Sequence, residues 1–334
     1  MDINYELYKV FYYVAISLSF SEASKKLYIS QSAVSQSIKV LEKKLNQPLF
    51  IRSTKKVQLT PEGETLLRHV EPAMNLIRRG EAQILEANTL GGGQLRIGAS
   101  DTICRYFLVP YLSRFHKEYP NIHIKVTNQT SIGCVDLLEN GSVDLIFTNY
   151  PNSRLGNGKQ VQHIKDFQDC FIASRKYYGE LEHQPLSFKE LLNYPILMLD
   201  RNSTTSEFLH ALFQQHQLDL VPEIELSSND LLLDLAAIGL GIAFVPDVLL
   251  PAPGIERLHL REGLPERAVC LIRRTDRPRS VAAAALDAQH QIGDVTGLPG
   301  YPGGVRHHLA GHADRLFDGF ERAALLLDAE GDDG

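Results

Sequence analysis

At 334 residues, 44% hydrophobic and 22% charged, the chain exceeds what one core usually holds, so two or three globular domains are expected. No apolar run approaches the roughly 18–20 residues of a membrane span, and the N-terminal stretch carries Asp2 and Glu6 where a secretory leader would be basic. A cytoplasmic protein without a membrane partner is therefore expected. Net charge is −6, yet residues 21–60 hold eight Lys and Arg against two Glu, a local +6 that asks for an anionic partner.

The first helix is read from Leu7, Phe11, Val14, Ala15 and Leu18, which fall on one helical face. A second helix follows in "SFSEASKKL", with Ser21 as its cap and Ala23 and Leu27 facing inward. After the turn "YIS", Ser30 caps a third helix, "QSAVSQSIKVLEKKL". Stepping about 100° per residue from Val34, Ile38 falls at about 40°, Leu41 at about −20° and Leu45 at about 20°. Ser32, Gln36, Lys39 and Lys43 fall between about 140° and 200°, opposite that stripe, with Gln31 at the N-terminal end. Such a face suits the DNA major groove. Serine permits close approach, glutamine pairs bidentately with adenine, and lysine reaches guanine or phosphate.

Pro48 ends that helix, and "FIRSTKKVQL" reads as two short strands around a basic tip holding Lys55. Helix, turn, helix and hairpin make the winged helix-turn-helix arrangement. Thr60-Pro61 then starts a long helix to about residue 89. Val70, Met74, Ile77 and Ile84 form a heptad-like seam suited to a partner helix, and Pro72 should kink the helix or mark a join. Gly91-Gly92-Gly93 ends it as a hinge.

Beyond the hinge, strands alternate with helices: "QLRIGAS", a helix from about Arg105, "IHIKVTN", "VDLLENG", "VDLIFTN", and then a second series from "DCFIAS" to "RAVCLIRR". This predicts a parallel sheet in two lobes around a cleft. Strand ends are the expected ligand side. They carry Ser100, Asp101 and Thr102, then Asn128 and Thr130, then Thr148 and Asn149. The second lobe adds Ser203, Thr204 and Thr205 at a helix start, and Val245 in "GLGIAFVP". A small metabolite carrying an anionic group such as a carboxylate is the expected ligand, although Asp101 weighs against a purely anionic one. No cofactor is expected. GxSxG, HExxH, P-loop and GxGxxG motifs are missing from the sequence, so an enzyme is not expected. Cys104, Cys134, Cys170 and Cys270 are widely spread without a CxxC, which excludes a disulfide scaffold and a standard zinc site. "HHLAGH" lies in a low-complexity tail and reads as solvated histidines.

The blocks "SFSEASKKL", "SQSAVSQSIKVLE", "PLFIR" and "LTPEG", in that order, resemble the N-terminal domain of LysR-type transcriptional regulators, and "LRIGAS", "VDLIFTN" and "GLGIAFVP" resemble the C-terminal part more loosely. The resemblance implies that Gln31, Ser32, Ser35, Gln36 and Lys39 face DNA and that Arg52 and the wing hold phosphate. The family commonly has Pro where this chain has Ser32. It further implies a dimer through the 61–89 helix, often a tetramer, a periplasmic-binding-protein-like effector domain, and RNA polymerase as a candidate partner beside promoter DNA. The expected plan is an all-α winged helix-turn-helix over 1–60, a linker helix over 61–90 and a two-lobed α/β domain over 91–290. Lobe I takes about 93–161 and 266–290, lobe II about 162–265, and 291–334 is a disordered tail. Two rivals stay open: a redox-responsive regulator of the same family, and a two-lobed binding protein or enzyme with an incidental basic N-terminus.

Overall fold

The structure, a computed structural model, describes residues 3–52, 56–87, 93–181 and 184–275, with Ala282, Ala283 and Leu286. The wing-tip residue Lys55, Gly91 and Gly92 of the expected hinge, and the expected tail lie outside the described residues. The chain forms two compact units, one of residues 1–92 with 139–142, the other of the remainder.

In the N-terminal unit α1 (Tyr5–Ser17) starts at Asn4, whose side chain accepts the Glu6 N–H at 2.9 Å. Helix α2 (Phe20–Leu27) is capped by Ser19, which accepts the Glu22 N–H at 3.2 Å, and not by Ser21 as expected. The reason is Phe20. It is buried with Ala23, and both share one helical face only if the helix already includes residue 20. Ser30 caps α3 (Gln31–Leu45) as expected, accepting the Ala33 N–H at 3.2 Å. Both α2 and α3 end on left-handed residues, Tyr28 (φ 56°) and Asn46 (φ 53°), with N–H groups of the following turn returning to the last carbonyls.

Val34, Ile38 and Leu41 are fully buried against Phe11, Val14, Ala23 and Phe50, so the computed stripe is the packed one. The Glu42 carboxylate accepts the N–H groups of Leu49 (2.9 Å) and Phe50 (3.3 Å), fastening the end of α3 to the wing. The wing is β1 (Phe50–Arg52) antiparallel to β2 (Val57–Leu59), with Phe50 opposite Leu59. Thr60 caps α4 (Pro61–Ala87): its hydroxyl accepts the Gly63 N–H at 2.9 Å and donates to the Pro48 carbonyl at 2.8 Å. Pro72 lies inside this helix, which continues through it, so there is no join. The expected seam divides. Val70 and Met74 pack into the unit's own core, whereas Ile77 and Ile84 stay 56% and 68% exposed, with Leu76 exposed beside them. Arg78 holds α4 to α1 by donating to the hydroxyls of Tyr12 (3.3 Å) and Tyr13 (3.1 Å).

The C-terminal unit is built on one hydrogen-bonded sheet. Its first half has β3 (Gly93–Ala99) between β4 (Ile122–Asn128) and β5 (Leu145–Tyr150), all parallel. Helical turns start at α5 (Asp101–Ile103), four residues earlier than expected, because Ser100 caps them by accepting the Ile103 N–H at 3.3 Å. A π-helical stretch over Cys104–Leu108 leads into α6 (Val109–Glu118), where Pro110 lacks an N–H to donate back. Helix α7 (Ser131–Glu139) crosses from β4 to β5.

Two long strands then join the halves: β6 (Lys159–Ser174) and, from the far end of the chain, β11 (Glu266–Arg274). Between them in sequence come α8 (Arg175–Tyr178), α9 (Phe188–Leu191), β7 (Ile196–Leu199), α10 (Thr204–Gln215), β8 (Ile224–Leu226), α11 (Asn229–Ala237), β9 (Ile242–Pro246) and β10 (Ile255–Arg257). The strand order is β4-β3-β5-β11-β6-β9-β7-β8, with β10 beside β6. The sheet is therefore mixed. The expected parallel pairing holds for β3 with β4 and β5 and for β7 with β8 and β9, but β5–β11, β11–β6, β6–β9 and β6–β10 are antiparallel. Strand β6 pairs with β11 up to Gln168 and with β9 from Asp169.

A Cβ on Gly63 would stand 2.2 Å from the Leu49 carbonyl oxygen, whereas Gly80 on the same helix has nothing within 4 Å. Gly63→Ala should therefore cost about 1–3 kcal/mol, and Gly80→Ala should gain about 0.5–1 kcal/mol from helix propensity. Urea unfolding of both variants checks the opposite signs.

Candidate nucleic-acid interface and ligand cleft

On α3 the side chains of Gln31, Ser32, Gln36, Lys39 and Lys43 are exposed and Ser35 is half-buried. The angular reading thus carries over to the folded unit: one face is sealed by the core and the other is open. Ser30 and Ser32 hydroxyls lie 2.9 Å apart, which draws Ser32 into the helix cap. Neither Lys39 nor Lys43 forms an ion pair among the described residues, so both ammonium groups face solvent. Lys25, by contrast, is held 2.7 Å from Glu22, and this contact lowers the Glu22 carboxyl below its ordinary value. Arg52 lies on β1, where it pairs with Val57.

The cleft of the C-terminal unit, about 460 Å³, opens at the carboxyl ends of the parallel strands of both lobes. Ser100, Thr102, Asn128, Thr130, Ser203 and Thr204 line it, as the sequence suggests. Thr148 and Val245 do not. Thr148 is fully buried, donating to the Ser131 carbonyl (3.4 Å) and accepting from Asn152 (2.9 Å), because alternation along β5 turns Asn149 toward the cleft instead. Val245 on β9 is fully buried among Leu197, Leu232 and Ala236.

The sequence reading missed Asp200, Ser228 and Asn229, which also line the cleft. The signal was available: "SSND" follows β8 as "NSTTSE" follows β7, a serine cap directly after a strand. Ser228 caps α11 through the Leu231 N–H (3.3 Å), Ser203 caps α10 through the Ser206 N–H (3.1 Å), and Thr130 receives the Gly133 N–H (3.1 Å) at the start of α7. Three helix N-termini therefore converge on the cleft, each with a partial positive charge. Across it, Asn229 Nδ2 donates to the Thr102 hydroxyl at 2.9 Å and the Tyr106 hydroxyl donates to Asp230 at 2.8 Å, so the lobes touch through polar groups.

Behind the floor lies Arg267 of β11, its side chain fully buried. Its Nη1 donates to Asp169 Oδ2 (2.7 Å) and to the Thr205 hydroxyl (3.1 Å), and its Nη2 donates to the Thr204 hydroxyl (3.1 Å). The guanidinium also lies over the Phe208 ring, 4.8 Å from its centroid. Burial raises the Asp169 carboxyl against the downward pull of Arg267.

Comparison with known proteins agrees with this division. Residues 5–64 match the family described as bacterial regulatory helix-turn-helix protein, lysR family, and residues 88–289 match LysR substrate binding domain. The chain belongs to the LysR family of transcriptional regulators. It is 30% identical to a probable RuBisCO transcriptional regulator of Guillardia theta over 70% of this chain and 76% of that one. It is 28% identical to the HTH-type transcriptional activator CmpR of Synechocystis sp., over 74% of this chain and 80% of the relative. The fold matches crystal structures of CbnR, alone and with its target DNA, with a TM-score of 0.62 at 18% identity, covering 86% of this chain and 98% of CbnR. As a LysR-family protein it is a DNA-binding transcriptional regulator with an effector-binding domain.

Within this regulator the cysteines are free thiols. Burial pushes Cys104 up to about 11 and Cys134, Cys170 and Cys270 up to about 12. Neutral thiols are poor nucleophiles, which weighs against the redox-responsive alternative.

Replacing Arg267 by Met should destabilise the protein by about 3–5 kcal/mol, because Asp169 is left buried without a counter-charge. Adding Asp169→Leu should recover most of that loss. Chemical denaturation of the single and double variants measures both.

Proposed function

We propose that this regulator acts as a homodimer or a tetramer of such dimers in the cytoplasm. It reads promoter DNA through α3 and couples a small ligand carrying an anionic group to the way it sits on that DNA. The exposed Gln36–Lys39–Lys43 face carries the reading: a polar, cationic stripe lies opposite a fully buried apolar one on a short capped helix. Gln36 contributes base discrimination, Ser32 close approach, and Lys39, Lys43, Arg52 and Lys55 the phosphate contacts. In a dimer the two α3 helices enter successive major grooves about 34 Å apart.

The exposed Leu76, Ile77 and Ile84 on α4 supply an apolar stripe for a second copy of the same helix. The cleft serves binding and not catalysis. Its ligand can shift the protein only by contacting the closed arrangement of the lobes better than the open one. The Thr102–Asn229 and Tyr106–Asp230 contacts are the groups whose making and breaking such closure changes. The dimers then bend or release the DNA between their sites, and RNA polymerase meets the result.

Two measurements test this. Gln36→Ala should weaken binding to the protein's own upstream DNA by about 1–3 kcal/mol while leaving binding to unrelated DNA unchanged. Lys43→Ala should weaken both and reduce the salt slope by about one. Gel shifts in a salt series separate the two effects, and equal loss on every sequence sinks the division. Ile77→Asp with Ile84→Asp should convert dimers to monomers in light scattering, since the introduced carboxylates face one another across the stripe.

A further inference from the structure

The polar groups of the cleft divide into two halves that ask for opposite partners. The geometry points to a zwitterion, a small amine-bearing carboxylic acid, as the ligand, an inference that rests on the reading of this cleft as the effector site.

The anion half is the floor at the start of α10. Each hydroxyl has one proton to donate and two lone pairs to accept with. Arg267 donates to both Thr204 and Thr205 oxygens, and neither hydroxyl donates to a protein acceptor among the described residues. The two hydroxyl protons are therefore available to a ligand and are polarised by a buried guanidinium. Ser203 receives the N–H groups of Ser206 on its hydroxyl and Glu207 on its carbonyl, which leaves the first-turn N–H groups of Thr204 and Thr205 without an intrahelical partner. The floor offers donors backed by positive charge, and a carboxylate is complementary to it.

The other half asks for a donor. Asn229 is 8% exposed and lines the cleft, and its Oδ1 has no partner while its Nδ2 is held by Thr102. A buried amide oxygen left without a hydrogen bond is costly, so a ligand N–H at that point would relieve the cost. Asp101 and Asp200 line the same cleft, and no Lys, Arg or His does among the described residues. A ligand that is only an anion meets two carboxylates with no cation in the lining. An ammonium group on the same molecule reverses the sign of that interaction.

The test is calorimetry on the full-length protein with the twenty common L-amino acids, β-alanine and 4-aminobutyrate. Each binder is compared with the same acid lacking the amine and the same amine lacking the carboxylate. We expect at least one amino acid to bind, with both truncated analogues at least about tenfold weaker, because each loses a charge-assisted hydrogen bond. Asp101→Asn, at an exposed position where folding is not at stake, should weaken the amino acid severalfold and tighten the deaminated acid, which loses a like charge beside it. Asn229→Asp should hold or tighten binding, whereas loss of binding would mean that the amide presents its N–H₂ to the ligand, and the inference fails. A deaminated acid that binds as well as its parent overturns the zwitterion and leaves the cleft reading intact. Silence from the whole panel also overturns the zwitterion. Binding that ignores both Asp101→Asn and Asn229→Asp places the ligand elsewhere and overturns the cleft reading itself.

Discussion

The ion pair between Arg267 and Asp169, both side chains fully buried, ties together the elements from which the cleft is built. A guanidinium taken out of water carries a desolvation cost that a single carboxylate does not fully offset. Here the offset also comes from the hydroxyls of Thr204 and Thr205 and from the faces of Phe167 and Phe208. Arg267 stands on β11, and those partners come from β6 and the first two turns of α10. The charge meets them only when all three elements are in place, so the position of the cleft floor is set by the same contact that closes the junction between lobes. Asp169 is also the residue at which β6 passes from β11 to β9.

The N-terminal unit is organised by a different constraint, close approach of backbone. Gly63 lets the first turn of α4 come against the Leu49 carbonyl, and Glu42 takes the N–H groups of Leu49 and Phe50. Together these fix the wing against the end of α3. The consequence reaches the exposed face of α3. Because the apolar stripe of α3 is locked by Phe11, Phe50 and their neighbours, the opposite stripe is presented in one orientation. The basic residues need no special arrangement beyond that, since opposition on a helix follows from its repeat.

Legibility in the sequence tracked the range of the interaction. The α3 face, the Ser30 and Thr60 caps and the wing were readable because each rests on contacts within a few residues. Nine of the eleven cleft residues named from the sequence were readable because polar residues at strand ends and helix starts mark the ligand side of α/β sheets. Thr148 and Val245 were misplaced by side-chain direction: neighbours on a strand point to opposite faces, and only the packing of the lobes shows which face is the core. Ser21 lost the α2 cap to Ser19 because Phe20 had to be buried, a demand made by Phe50, thirty residues away in sequence. The α4 seam was read as one surface. Val70 and Met74 belong to the unit's own core, a division that periodicity alone does not make.

By itself the sequence determined a capped helix with opposed apolar and cationic faces, and α/β lobes whose strand ends carry hydroxyls. These follow from repeats of about 3.6 and 2 residues and from capping chemistry, which are local. Only the tertiary structure decided that the sheet is mixed, that Thr148 and Val245 turn away from the cleft, and that Arg267 stands behind its floor. Each of those depends on strands far apart in sequence finding their partners. Pairing across such distances is chosen by the burial of whole faces and by satisfying buried charges, and no window of neighbouring residues contains that information.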